Sequence, residues 1–282
     1  MTAPTLTTAQ KDALRNLMTS YFNAAPSTFT YVGAARRESY AHPNKTSADT
    51  PTEGCMSSSN NKYFLNCSLL AQMVWMGRKI SDFTGNATTP SKTINKEFSW
   101  GYYFDFASAR IAYGVTKNDG SKYNANTYVN SAGDKVFITF DNAAAMAEEL
   151  YNKGYEIPYS EADIGDLVFY RSESIVDDDT DQLENANFRY ITHAALVCDI
   201  TADGVPILLE CTNAGYSNGV MGRCGVTADE GIKGTKMGKF GSLRGANLGF
   251  RNVMCARHPV AFGHTGNVPS SFSAYRGVDE LD

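Results

Sequence analysis

The sequence predicts an α+β fold, in which N-terminal helices pack on a small antiparallel β-sheet. Patterns with helical periodicity come first along the chain, and apolar runs of strand length follow after residue 165. An Asp-Gly pair between two of these runs is typical of a β-hairpin, so antiparallel neighbours are expected. Polar and glycine-rich stretches between the elements predict long loop insertions.

Three helices are predicted at 7–22, 67–79 and 141–154. Thr7 or Thr8 can cap the first helix, whose apolar residues recur on one face. The second helix is almost entirely apolar, so we expect it to be buried. Asp141 can cap the third helix, and Gly154 follows its end.

Four strands are predicted at 166–171, 191–200, 205–212 and 250–257. None of them alternates strictly between polar and apolar residues, so both faces of the sheet are expected to be covered. Asp203-Gly204 is interpreted as a two-residue turn between the second and third strands.

Length and composition favour one globular domain. The 282 residues are 43% hydrophobic and 20% charged, and we expect a single domain over 1–282. An insertion is expected at about 84–140, with one helix near 104–113, and a Gly-rich C-terminal extension at about 213–282.

Charge and hydropathy exclude some classes of function. A net charge of −5 argues against nucleic-acid binding, which needs a basic face. No run of 18 apolar residues occurs, so no membrane span is expected. The first residues lack the basic and apolar segments of a secretory signal peptide, and the six cysteines are therefore expected to be free thiols.

Cys67 is the candidate nucleophile. It follows Asn66, a good N-cap residue, and stands at the start of the apolar helix. The positive end of a helix dipole favours the thiolate, and its backbone N–H groups can hold an oxyanion. The alternative is that Cys67 is a small core residue, as most single cysteines are.

His193 and Glu210 are the candidate partners of Cys67. Each is a polar residue in an apolar strand, and such a residue needs a partner when it is buried. Glu210 can accept a hydrogen bond from Nδ1–H of His193 and thereby fix its tautomer. For His193, the alternative is a core histidine whose hydrogen bonds are satisfied.

Hairpin geometry raises a difficulty for that pair. The two-residue turn puts Val197 opposite Glu210, with His193 four residues away, roughly 13 Å along the strand. A hydrogen bond then requires a bulge or a shifted turn. Thr212 and Asn213 therefore remain alternatives to Glu210.

Five segments, in this order, resemble motifs of the NlpC/P60 family of cell-wall cysteine peptidases, within the papain-like superfamily. They are Tyr31-Val32-Gly33, Asn66-Cys67-Ser68-Leu69-Leu70, Ile164-Gly165-Asp166-Leu167-Val168-Phe169-Tyr170, His193-Ala194-Ala195-Leu196-Val197 and Leu208-Leu209-Glu210-Cys211-Thr212. The resemblance spans residues from about 7 to 260, with large insertions. The chain departs from the family pattern at Asn66, at Leu69 and at Glu210, where the family often has Asp, Gly and His.

The resemblance implies a papain-like core and a cysteine-dependent amide hydrolase, with a peptidoglycan stem peptide as substrate and no metal or organic cofactor. Cys67 would attack, His193 would transfer the proton and Glu210 would orient His193. Tyr31 would contact the oxyanion or substrate. The alternative for Tyr31 is a tyrosine in the core or at its rim.

Trp100 is a second candidate for substrate binding. It begins an aromatic cluster that can line a groove for a glycan or a peptide. The other members are Tyr102, Tyr103, Phe104 and Phe106. Such clusters more often belong to a core.

The place of action follows from the missing export signal. A phage-encoded enzyme, carried in a virion tail with other virion proteins or held in the cytoplasm until lysis, would reach the bacterial cell wall without one. A secreted effector that uses another export system is the alternative. Two other functions stay open. One is a virion structural or interaction protein with little or no activity, and the other is a different amidase or an acyltransferase on the same scaffold.

Overall fold

The computed structural model describes residues 2–31, 63–65, 67–83, 94–104, 127–129, 135–137, 143–172, 191–202, 204, 206–211, 222–223 and 250–270. Helices packed with an antiparallel sheet confirm the α+β class. The α-helices are α1 (Thr8–Thr28), α2 (Cys67–Met76) and α3 (Ala143–Asn152), and short 3₁₀ helices lie at Ile80–Phe83, Tyr159–Glu161 and Pro259–Phe262. No helix in this part of the chain is long and apolar enough to cross a membrane.

In the described part of the chain, the main sheet consists of β5 (Glu156–Ile157), β6 (Leu167–Ser172), β7 (Ile191–Ile200), β8 (Pro206–Glu210), β9 (Gly222–Arg223) and β10 (Phe250–Ala256). These six strands are antiparallel and lie in the order β5-β10-β6-β7-β8-β9. Two small pairs complete the strands: β1 (Phe29–Tyr31) is parallel to β2 (Tyr63–Leu65), and β3 (Thr127–Val129) is antiparallel to β4 (Lys135–Phe137). Helices α2 and α3 both pack against β7.

The helix ends follow from local hydrogen bonds. At the start of α1, Thr7 and Gln10 bond reciprocally through side chain and backbone, as in a capping box. Helix α1 extends six residues beyond the predicted end at 22, since Ala24 and Ala25 are good helix formers. Helix α2 ends three residues early because Gly77 takes a positive φ of 71° and closes the last turn.

Part of the predicted insertion belongs to the core. Tyr102 N donates to the Trp75 carbonyl over 2.7 Å, and the rings of Trp75 and Phe104 stack at 5.5 Å. Tyr102 and Phe104 are both buried. The segment 94–104 therefore covers α2, while the helix predicted near 104–113 lies outside the described residues from 105 onward.

The turn between β7 and β8 is longer than predicted. Ile200 pairs with Pro206, so the connection has five residues, 201–205. Gly204 N donates to the Thr201 carbonyl, and Gly204 has a φ of 79°. The two-residue turn is wrong because the chain makes a four-residue turn from Thr201 to Gly204 before the strand resumes.

A β-bulge shifts the register within the same hairpin. The observed pairs are Ile200–Pro206, Asp199–Ile207, Val197–Leu208 and Leu196–Leu209. Cys198 is the extra residue between two successive pairs. The predicted pairing of Val197 with Glu210 is therefore wrong.

The Gly165-Asp166 corner joins the helices to the sheet. Gly165 has a φ of 91°, and its carbonyl accepts from Trp75 Nε1 at 2.8 Å. Asp166 forms a buried ion pair with Arg257, the residue that follows β10. Arg257 also donates to the carbonyls of Pro4 and Glu161. This corner is structural, because its groups bond to one another and to the backbone.

Candidate active site

His193 and Glu210 form a buried pair on adjacent strands. The Nε2 atom of His193 lies 2.8 Å from Oε2 of Glu210, and their side chains are 7% and 0% exposed. The nitrogen that meets Glu210 is therefore Nε2 and not the predicted Nδ1. Thr212 and Asn213, the alternatives to Glu210, lie outside the described residues.

The bulge at Cys198 resolves the distance problem. Since Leu196 pairs with Leu209, the same register continued by one residue places Glu210 opposite Ala195. His193 is two residues from Ala195 along β7. In the predicted register, His193 was four residues from Val197, the residue then opposite Glu210. Diagonal neighbours on one face of a sheet have Cα atoms roughly 7–8 Å apart, within reach of a histidine and a glutamate side chain.

Tyr170 lies on the other side of His193. The two residues pair directly between β6 and β7, and their ring centroids are 5.9 Å apart. Tyr170 is buried. It was not predicted as a site residue, because in sequence it is only one more aromatic residue at the end of an apolar strand.

Cys67 is the first residue of α2, as expected from its position after Asn66. It is only partly buried, whereas Ser68–Met76 are all buried, as predicted for this helix. Leu69, one of the departures from the family pattern, packs in the hydrophobic core. Asn66 itself lies outside the described residues.

Cys211, which follows β8, interacts electrostatically with Cys67. Burial is the main cause that raises the pKa of the Cys211 thiol, and the charge of Cys67 raises it further. Cys211 directly follows Glu210, which bonds to His193. Because α2 also packs against β7, the predicted nucleophile and the His193–Glu210 pair belong to the same part of the molecule.

The arrangement can support proton transfer. With Nε2 directed at a carboxylate, the imidazole is held in the tautomer whose Nδ1 carries the lone pair. A buried carboxylate also stabilises an imidazolium, because an unpaired charge in the interior is costly. His193 is thus equipped to take a proton from a thiol at Nδ1 and keep the resulting charge.

The backbone of Tyr31 lies close to the start of α2. Strand β1 pairs in parallel with β2, and Tyr31 is the partner of Leu65. Leu65 precedes Cys67 by two residues, so the main chain of Tyr31 borders the segment that enters the helix. The Tyr31 side chain is outside the described residues.

The structure does not bring Trp100 to Cys67. The Trp100 ring stacks on Phe98 at 3.8 Å and meets the ring of His258 at 5.4 Å. The next residue, Gly101, lies against the carbonyl of Met76, the last residue of α2. Helical rise puts that end about 14 Å from Cys67. Two members of the aromatic cluster, Tyr102 and Phe104, are core residues.

His258 is buried beside Trp75, with ring centroids 4.7 Å apart. Burial lowers its pKa to about 3, against the opposing effect of a backbone hydrogen bond at Trp75. Its Nδ1 accepts from Val260 N, which caps the 3₁₀ helix Pro259–Phe262. This histidine has a structural role.

Besides Cys67, the structure describes three cysteines. Cys198, Cys211 and Cys255 are buried. Among the residues that the structure describes, no group of three or more His, Cys, Asp or Glu side chains is arranged to hold a metal ion.

Comparisons with protein-family models, with curated proteins and with solved structures found no match to this chain.

Proposed function

We propose that the protein is a cysteine-dependent amide hydrolase that acts on peptidoglycan stem peptides. The observation that carries the proposal is the buried His193–Glu210 pair in the strands next to α2, whose first residue is Cys67. The substrate class and the papain-like core rest on the resemblance to the NlpC/P60 family. The bacterial cell wall is accordingly the proposed place of action.

The proposed reaction uses these residues in turn. Cys67 gives its proton to Nδ1 of His193, and the thiolate attacks the carbonyl carbon of the scissile amide. Backbone N–H groups at the first turn of α2 hold the oxyanion, and His193 then protonates the departing amine. Water, with its proton taken by His193, cleaves the thioester and regenerates the thiol. Glu210 stabilises the imidazolium in both halves of the reaction.

Digestion of purified peptidoglycan followed by mass analysis of the fragments tests this function. The wild-type protein should release peptide fragments with new amino and carboxyl ends. Cys67→Ala should lower the rate at least about 10³-fold, since the nucleophile is lost. Cys255→Ala removes a buried thiol from β10 and is the matched control, which should retain activity.

Thiol labelling separates the proposed enzyme from its alternatives. Fast alkylation of Cys67, with a rate that depends on His193, supports an activated thiolate. Fast alkylation without peptidoglycan cleavage would favour another amidase or an acyltransferase. Cleavage by Cys67→Ala at the wild-type rate, or slow labelling of Cys67 like that of an ordinary thiol, would overturn the proposed mechanism.

A further inference from the structure

The bulge at Cys198 is held by the side chain of the bulged residue itself. Cys198 lies between the Val197–Leu208 and Asp199–Ile207 pairs, where the register shifts, and its thiol donates to the Ile207 carbonyl at 3.4 Å. Ile207 is the β8 residue on the turn side of the bulge, where it pairs with Asp199. The thiol thus bonds to the backbone of the opposite strand at the point where the register changes.

This change of register decides the face on which Glu210 lies. On the turn side of the bulge, Asp199 pairs with Ile207. If that register continued without a bulge, Glu210 would lie opposite Leu196. Successive residues of a strand point to opposite faces, and Leu196 is on the face opposite to that of His193. Glu210 would then occupy the face away from His193. With the bulge, Glu210 lies opposite Ala195, on the face of His193.

The face of His193 is fixed independently by the other neighbour of β7. Tyr170 of β6 pairs directly with His193, and three further pairs of the same register follow toward Leu167. A change at the bulge would therefore move Glu210 relative to His193, while the pairing of β6 holds His193 in place. The register of the β7–β8 hairpin therefore sets the position of Glu210 but not that of His193.

We propose that Cys198 is a positioning residue, whose bonded bulge brings Glu210 to Nε2 of His193. For its effect on the reaction this inference rests on the proposed function, whereas the positioning itself does not. A thiol is a weak donor, and a serine hydroxyl can donate in its place. A valine is close to cysteine in volume but cannot donate, so it tests the hydrogen bond with little change in packing.

The first measurement follows the titration of His193 by nuclear magnetic resonance and needs no substrate. The chain has 4 histidines, so His193→Gln assigns the signal. Glu210 on β8 and Tyr170 on β6 face His193, and α2, which begins at Cys67, packs against the same strand. Glu210→Gln removes the charge of Glu210. The His193 titration midpoint of this variant is therefore the reference value for a protein that has lost the His193–Glu210 pair.

Cys198→Val should move the His193 titration midpoint at least halfway from the wild-type value to that of Glu210→Gln. Cys198→Ser should keep the wild-type midpoint, and so should Cys255→Val, which replaces a buried thiol on β10. If Cys198→Val fails to fold, Cys198→Ala, which adds no methyl group, gives the same comparison. A wild-type midpoint in the folded Val or Ala variant would overturn the proposal.

The second measurement separates the positioning from the proposed function. On peptidoglycan, Cys198→Val should lower kcat about tenfold with little change in KM, and Cys198→Ser should restore it. Absence of cleavage by every variant, including the wild type, would refute the proposed function and leave the titration to decide the positioning. Equal kcat in the Val and wild-type proteins would contradict the positioning role.

Discussion

Two buried pairs of a carboxylate and a basic side chain lie in the same sheet, and they differ in what they can do. Asp166 and Arg257 are 3.1 Å apart and 1% exposed. Glu210 and His193 are 2.8 Å apart and nearly as buried. Depth and distance therefore do not distinguish a structural pair from a chemical one. The nature of the base and the neighbours of the pair do.

The guanidinium of Arg257 donates hydrogen bonds that hold separate segments of the fold together. It bonds to Asp166, to the carbonyl of Pro4 and to the carbonyl of Glu161. Arginine does not titrate in proteins, so the basic member of this pair cannot take or release a proton. Burial raises the pKa of Asp166 to about 7, and the hydrogen bonds and charge of Arg257 oppose that rise.

The imidazole of His193 has a second nitrogen and a titratable proton. Its partner Glu210 engages Nε2, and the nearby helix begins with a partly exposed thiol. The comparison teaches that a buried pair of a carboxylate and a base becomes a candidate for catalysis when its base can take a proton from a nucleophile. The following variants test this difference, from the largest expected effect to the smallest.

Arg257→Gln should destabilise the protein by about 3–5 kcal/mol, because it leaves a buried carboxylate without its counter-charge. With no guanidinium to oppose burial, Asp166 should become protonated. Urea unfolding monitored by circular dichroism measures the loss. Arg257→Lys, which keeps the charge but not the planar fork, should lose less. A loss below about 1 kcal/mol in Arg257→Gln would show that the pair is not structurally important.

Gly165→Ala should cost about 2–3 kcal/mol of unfolding free energy, since strain and overpacking add. Gly165 has a positive φ, and an added Cβ would lie 2.5 Å from Cδ1 of Leu14. Gly204→Ala is the matched control, because Gly204 also has a positive φ but no atom within 4 Å of an added Cβ. It should cost only about 1 kcal/mol. Equal losses in the two variants would refute the close contact with α1.

Glu210→Gln should lower the rate of peptidoglycan cleavage about tenfold, which corresponds to roughly 1.4 kcal/mol of transition-state stabilisation. The amide keeps the shape of the carboxylate but no longer stabilises an imidazolium. Glu149→Gln is the control: Glu149 is equally buried, but it accepts from Tyr102 and Lys153 instead of His193. A similar loss of rate in both variants would indicate a general effect of buried charge.

His258→Asn should change the dependence of stability on pH. The folded-state pKa of His258 is lowered to about 3, so between pH 6.5 and 3 the unfolded chain binds a proton that the folded chain does not. This histidine therefore stabilises the fold fully above pH 6.5, and that contribution falls by roughly 1 kcal/mol per pH unit as the pH decreases toward 3.

Urea midpoints measured across this range should show a shallower slope in His258→Asn, which keeps an acceptor for Val260 N. His264→Gln, a change at a partly exposed histidine of the same segment, is the control. An unchanged slope in His258→Asn would contradict a buried, neutral His258.

Local patterns predicted more of the fold than of the site. Strand β7 has the predicted limits, and the start of α2 at Cys67 followed from its capping residue and apolar character. Asp203-Gly204 located the hairpin but not its length. The bulge had no sequence signature, because Cys198 only continues the apolar run Ala194–Val197 and no glycine marks the irregularity. The contact between His193 and Glu210 depends on that bulge.

Contacts between distant segments were the least predictable. Nothing local in the sequence of β10 shows that it pairs between β5 and β6, near one edge of the sheet. Trp100 was a reasonable candidate for a groove, yet it packs near the far end of α2. Aromatic residues have the same pattern in sequence whether they line a groove or a core, so only the tertiary contacts decide.

The position of β10 has a consequence for biosynthesis. Strand β6 receives its β10 neighbour only after residues 250–256 have left the ribosome, and Arg257 then reaches back to Ala3 and Pro4 across more than 250 residues. Contacts so distant in sequence slow folding, because a long loop must close first. We expect the nascent chain to expose one edge of β6 until residues 250–256 have been synthesised. Chaperone dependence during translation should therefore end when β10 emerges.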